Sequence, residues 1–243
     1  MQSTRKNYQS SIIAANRSGR VKPQLGIPGD PAAVDVVQAS ARLTGLTGLV
    51  LLVGLFVEGL TLVSIHQMIA VHIIVGMLLI PPTLLKLGSV SVRFVAYYKG
   101  DPAFRKAGPP QPILRILGPI VVASTVVLFA SGIWLTVSGP VGGLGSLASG
   151  LHKASFVIWF GSMSIHVLGH LREIPKTAFA DWLTRTGRTV TTYGSKIVPV
   201  RGSRARMIAV AVSIVAGLVI TILTSGMAGP WGSFRHHIGA IGR

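Results

Sequence analysis

Apolar residues are concentrated in five long runs, and shorter polar and basic stretches separate them. Each run has roughly the twenty residues that a helix needs to cross the hydrocarbon core of a bilayer. Because lipid offers the backbone no hydrogen-bonding partner, runs of this length are expected to be helical. The pattern therefore predicts an all-α integral membrane protein with about five transmembrane helices, called spans 1 to 5: residues 43–62, 65–87, 114–137, 146–171 and 207–225.

The polar stretches divide the chain into regions with different expected roles. Residues 1–42 are basic and proline-containing and have no apolar run, which predicts a disordered tail. Residues 43–172 are expected to form a four-helix transmembrane bundle with a cytoplasmic loop at 88–113. A basic cytoplasmic segment at 173–206 then leads to span 5, and residues 226–243 are expected to be a tail on the outer side.

Span 2 carries local signals at both of its ends. Ser64 and Gln67 have the spacing of a capping box, which predicts a helix start near Ile65. Pro81 and Pro82 predict a kink near the other end. The stretch 89–99 is expected to be an interfacial helix or a continuation of span 2.

The basic residues predict the orientation of the chain. Lys and Arg number six in residues 1–42, six in 86–115 and eight in 172–206. With five spans these 20 residues all fall on one side, and only three, Lys153, Arg235 and Arg243, fall on the other. Because basic loops stay in the cytoplasm, this bias predicts a multi-pass protein of the cell membrane with a cytoplasmic N-terminus and an outer C-terminus.

Composition narrows the chemistry that the chain can carry. Charged residues make up 12% of the sequence, about half of the usual share in soluble domains. The surplus of 23 Lys and Arg over 6 Asp and Glu predicts contact with anionic lipid headgroups and argues against nucleic acid as a partner. The absence of cysteine excludes disulfides, thiolate metal sites, iron–sulfur ligation and c-type haem attachment.

Ionisable residues are costly inside a membrane, so the histidines of spans 2 and 4 are candidate site residues. His72 and His152 lie at depths that agree within roughly one helical turn, as two axial ligands of one b-type haem would. Gly76 would leave room for the macrocycle beside His72, and Lys153 could pair with a propionate. The pair His72 and His152 is therefore the preferred iron site, and the alternative is a pair of interhelical hydrogen bonds.

A second candidate position lies further along span 4. His166 follows His152 by 14 residues, which places the two about 40° apart on the helix surface and about 21 Å apart along its axis. His170 lies one turn further on nearly the same face, and it competes with His166 for any inner role. Arg172 is near enough to that surface to bind a propionate. Glu58 is either an interface carboxylate or a group that exchanges protons or hydrogen-bonds a histidine.

Spans 1 to 4 resemble the cytochrome b membrane subunits of nickel–iron hydrogenases and formate dehydrogenases. The elements that carry the resemblance are His72 with Gly76 and the stretch from His152 to His170. The resemblance implies a four-helix protein that passes electrons between two haems and quinone. That family has a further histidine in the first helix. The corresponding stretch of this chain, residues 39–45, contains no histidine. The resemblance thus implies that the outer haem keeps both of its histidine ligands. An inner haem would need five-coordinate iron or a ligand from a partner subunit.

Two classes of function follow from these residues. The first is a b-type cytochrome subunit that carries electrons between a peripheral redox protein and quinone through bis-histidine haem b. In that case the enzyme active site is expected on another subunit. The second is a haem-free membrane protein, a small permease or an anchor, whose histidines handle protons or a divalent metal.

Overall fold

The computed structural model describes residues 31–106, 112–139, 142–187, 191–192, 195–196 and 198–241. Within these ranges the chain is almost entirely helical, with one short antiparallel pair of strands. The elements are α1 Pro31–Val63, α2 Ile65–Tyr98, α3 Pro102–Lys106, α4 Pro112–Ser138, α5 Gly142–His170, α6 Ile174–Ala178, α7 Ala180–Arg185, β1 Thr191–Thr192, β2 Ser195–Lys196 and α8 Ser203–Ile241.

Four helices in the described part of the chain are long and apolar enough to cross a membrane: α1, α2, α4 and α8. This finding confirms an all-α, multi-pass membrane protein. The helix predicted as span 4 also forms, as the 29-residue α5, but it is richer in glycine, serine and histidine and is not among those four. Its crossing of the membrane stays a prediction.

The first and last helices extend well beyond the predicted spans. The first begins at Pro31, so residues 31–42 are helical and the prediction of a disordered tail is wrong there, whereas residues 1–30 lie outside the described residues. Proline is favoured in the first turn of a helix, because its missing N–H has no partner there in any case. The last helix continues to Ile241, past the predicted end of span 5, since each residue added to an existing helix gains a backbone hydrogen bond.

The second helix settles the alternatives left open for residues 89–99. It runs without interruption to Tyr98, so this stretch continues span 2. The backbone keeps helical torsions at Pro81 and Pro82, and it departs from them at Met68 instead. Ser64 is the N-cap as predicted, but its side chain makes no capping hydrogen bond; its backbone carbonyl accepts from the amides of Gln67 and Met68.

The helices pack mainly as neighbouring pairs. The closest pairings join α4 with α5, α2 with α8, and α1 with α2. Span 5 also packs against the other helices: α8 lies along α2 so closely that a Cβ on Gly217 would clash with the Leu78 carbonyl oxygen. The backbones of α2 and α5 seldom approach each other, so these two helices meet through side chains.

An ion-pair cluster ties the predicted cytoplasmic ends together. Asp181 of α7 accepts hydrogen bonds from Arg42 of α1 at 2.6 Å and from Arg206 of α8 at 2.7, 2.8 and 3.1 Å. Arg42 also donates to the Val198 carbonyl. Burial of Asp181 opposes its ionisation, but the hydrogen bonds from Arg206 and Arg42 outweigh this effect, and the pKa of its carboxyl lies below the ordinary value.

Candidate functional site

The preferred histidine pair comes together between α2 and α5. The ring centroids of His72 and His152 lie 6.3 Å apart, with the ring planes at 87°. Both side chains are largely buried, and that of His72 is 19% exposed. The structure thus brings into one layer two residues that are 80 positions apart in the sequence.

His72 is held from α1, through both a carboxylate and a hydroxyl. Its Nδ1 lies 3.0 Å from Oε1 of Glu58 and 2.9 Å from Oγ1 of Thr61. The Thr61 hydroxyl donates its own hydrogen to the Glu58 backbone carbonyl, so it acts as an acceptor toward the imidazole. Nδ1 of His72 is therefore bonded within the protein, and Nε2 is the ring nitrogen left for another partner.

His152 is held from α4 in an equivalent way. Its Nδ1 lies 3.1 Å from the Leu128 carbonyl oxygen and 3.3 Å from the Ser131 hydroxyl. A carbonyl oxygen only accepts, and the Ser131 hydroxyl donates to other carbonyls of α4, so Nδ1 of His152 is protonated. Nδ1 of each imidazole is thus bonded within the protein, which leaves Nε2 as the candidate ligand atom.

Glu58 contacts this histidine pair directly. The sequence alone left the role of Glu58 undecided. Its Oε1 bonds His72, while its Oε2 is buried with no hydrogen-bond partner. Sequence reasoning missed Thr61, Ser131 and the Leu128 carbonyl. The spacing of Glu58 and Thr61, three residues apart on one helix face, was the available signal.

Glycines on α2 and α4 lie beside the histidine pair. A Cβ on Gly76 would contact Oε1 of Glu58 at 3.4 Å, so the space beside this glycine adjoins the carboxylate that holds His72. Gly132 of α4 was not predicted, and a Cβ there would come within 3.1 Å of the His152 ring. Lys153 and Arg172 have exposed side chains, and no contact of theirs supports the predicted propionate binding.

The inner candidates have a different geometry. His166 and His170 follow one another on α5, with ring centroids 4.8 Å apart and ring planes at 64°. Because both lie on one helix, they cannot approach one metal ion from opposite sides as a facing pair does. Nδ1 of His166 is buried without a hydrogen-bond partner. The structure therefore brings His166 and His170 together without an opposing ligand from α1.

The donor set limits which metal centres are chemically reasonable. Across the described ranges, no group of three or more His, Asp or Glu side chains is arranged to hold a metal ion. A structural zinc site normally uses four protein ligands, whereas haem iron already has four ring nitrogens and needs two axial ligands at most. Two imidazoles from different helices, those of His72 and His152, are the number of ligands that the second kind of centre requires.

No protein-family model, curated protein or solved structure matches this chain. The candidate site therefore rests on its own geometry.

Proposed function

We propose that this chain is a b-type cytochrome of the cell membrane, which binds one haem b between His72 and His152. It would carry electrons between a peripheral redox protein and quinone. The observation that supports this function most strongly is the contact between the imidazoles of His72 on α2 and His152 on α5, each with its Nδ1 already bonded within the protein.

The spacing of the rings suits two axial ligands. Two metal–imidazole bonds of about 2 Å each, with half the width of each ring added, give a centroid separation of about 6 Å. The observed separation is 6.3 Å. The near-perpendicular ring planes are compatible with this role, because rotation of a ring about the axial bond leaves that bond unchanged.

The protein contributes orientation and electrostatics to this site. The Glu58 carboxylate and the Leu128 carbonyl hold the two Nδ1–H groups, which fixes each ring and raises its basicity as a ligand. When bound, haem b supplies one-electron redox chemistry at its iron.

The proposal includes one haem and no second one. An inner haem would need a ligand facing His166 or His170 from another helix. The described part of α1, the helix expected to supply that ligand, contains no histidine. His166 and His170 are therefore left out of the haem site.

The test is a reduced-minus-oxidised absorption spectrum with haem quantification on detergent-purified protein. We expect about one b-type haem per chain in the wild type and none in His72→Ala or His152→Ala. His66→Ala is the matched control, because His66 lies on the same helix but is exposed, and it should retain haem. Haem-free wild type, expressed with ample haem, would refute the proposal.

A second candidate is a haem-free protein whose histidines handle protons. The polar contacts that run from Glu58 and Thr61 to His72 favour it, because they connect groups that exchange protons inside an apolar helix pair. Haem-free wild type that conducts protons into liposomes, with loss of conduction in His72→Ala, would support this candidate over the first.

A further inference from the structure

Lys86 occupies an unusual position on α2. Its Nζ donates a 2.6 Å hydrogen bond to the Thr44 carbonyl of α1. It lies so close to α1 that a Cβ on Gly48 would come within 2.8 Å of it. In the part of the chain that the structure describes, no carboxylate forms an ion pair with this lysine. An ammonium group between two helices thus has one neutral acceptor and no negative charge beside it.

Other basic groups surround this lysine. Arg93 of α2 interacts electrostatically with Lys86 and with His170, and Lys86 in turn interacts with both His166 and His170. The nearby acid is Glu173, which interacts with His170 but whose Oε1 already pairs with Lys176 at 3.1 Å. The local balance of charge is therefore positive.

His166 adds an unused hydrogen-bonding atom to the cluster. Its Nδ1 is buried and has no partner, although a buried polar atom without a partner is destabilising. A ligand with acceptor oxygens would satisfy this nitrogen, and the charges of Lys86 and Arg93 favour a ligand that is negative. A phosphate group has such oxygens and the complementary charge.

We propose that Lys86, Arg93, His166 and His170 form a binding site for the phosphate of an anionic lipid headgroup. The site lies at the end of the bundle that the basic loops assign to the cytoplasmic side, where anionic lipids are available. The second helix has 34 residues and is about 50 Å long, well beyond the hydrocarbon thickness of about 30 Å. Its Lys86 and Arg93 therefore reach headgroup level when Ile65 lies at the outer surface.

Lipid binding is tested on the full chain in nanodiscs of phosphatidylcholine with a minority of phosphatidylglycerol. The phosphatidylglycerol retained by the protein is measured by native mass spectrometry for wild type, Lys86→Gln and Arg93→Gln. Each variant should bind this lipid about five-fold more weakly, the effect of removing one basic residue at the membrane surface. The matched control is Lys153→Gln, because Lys153 is an exposed lysine at the opposite end of the bundle and its loss should change nothing.

Three results would overturn the proposal. Equal losses in Lys86→Gln, Arg93→Gln and Lys153→Gln would mean that only net charge attracts the lipid. Unchanged binding in the first two variants would remove the site. Displacement of phosphatidylglycerol by inorganic phosphate alone would assign the site to a soluble anion instead of a lipid.

One of the variants could lose the fold for a separate reason, because Lys86→Gln also removes the hydrogen bond to Thr44. In that case Arg93→Gln and His166→Phe carry the test, and both should reduce lipid retention while the protein remains monodisperse. The readout does not involve haem, so failure of this site and failure of the cytochrome proposal are distinguishable.

Discussion

The outer and inner histidines are the same kind of residue in the same protein, yet the fold treats them differently. His72 and His152 come from two helices, their rings are in contact, and each has an Nδ1 partner on a third or fourth helix. His166 and His170 share one helix, and Nδ1 of His166 has no partner. The outer pair is held from neighbouring helices, whereas the inner pair belongs to a positively charged cluster.

This difference shows that the count of histidines is a poor guide to the number of metal sites. An axial ligand needs a second histidine facing it and a hydrogen bond that fixes its tautomer. The outer pair has a second histidine on another helix and an Nδ1 partner for each ring, supplied by α1 and α4. The inner layer lacks the facing ligand, and Lys86 instead reaches across to α1 at Thr44.

The largest expected effect is a difference in haem content between variants of the outer histidines and variants of the inner histidines. His166→Ala and His170→Ala should retain about one haem per chain, whereas His72→Ala and His152→Ala should retain none. Pyridine haemochrome quantification against protein concentration measures this. A wild-type value near two haems per chain that falls by half in His166→Ala would show that the inner histidines also bind haem. The difference between the outer and inner pairs would then disappear.

The next largest effect concerns the ion pairs at the inner end. Asp181→Asn leaves Arg42 and Arg206, which are 4% and 7% exposed, without their carboxylate. We expect a loss of about 2–4 kcal/mol in stability, since one partner of a mostly buried charge cluster is removed. Thermal unfolding in detergent measures the change. Asp35→Asn on α1 is the control, and an equal fall in its Tm would assign the effect to charge alone.

The same cluster predicts a dependence of stability on pH. The pKa of Asp181 is lower in the folded protein than its ordinary value of 3.8, so folding favours the ionised carboxylate. The resulting stabilisation is present above the ordinary pKa and is lost as pH falls below it, through the folded pKa. The Tm difference between wild type and Asp181→Asn should therefore shrink below about pH 4. A difference that stays constant down to pH 3 would contradict this cause.

The smallest expected effect tests how the outer layer is held. Glu58→Ala removes the carboxylate from His72 but leaves the Thr61 hydroxyl in place, so haem affinity should fall by about 10–100-fold without complete loss. Glu58→Gln keeps a hydrogen-bond acceptor and should retain more haem than Glu58→Ala. Haem transfer to apomyoglobin measures the affinity. Unchanged affinity in both variants would mean that Glu58 does not position His72.

The apolar pattern was enough to predict the class of protein and the approximate positions of its long helices. A transmembrane helix satisfies its backbone hydrogen bonds within itself, so length and apolarity largely specify it. The ends of α1 and α8 were less predictable. The extension of α1 to Pro31 contains Arg42, which is buried only because Asp181, 139 residues away, supplies a partner.

The depth match of His72 and His152 was also readable from the sequence, because the rise per residue in a helix is constant. Whether the two rings face each other, which nitrogen each one offers and which groups hold it depend on how the helices rotate and pack. Glu58, Thr61 and the Leu128 carbonyl reach the histidines from other helices. The sequence by itself therefore determined the helices and the height of each histidine in the membrane. Only the tertiary structure decided how the outer pair is held and that Nδ1 of His166 lacks a partner, because these depend on contacts between distant parts of the chain.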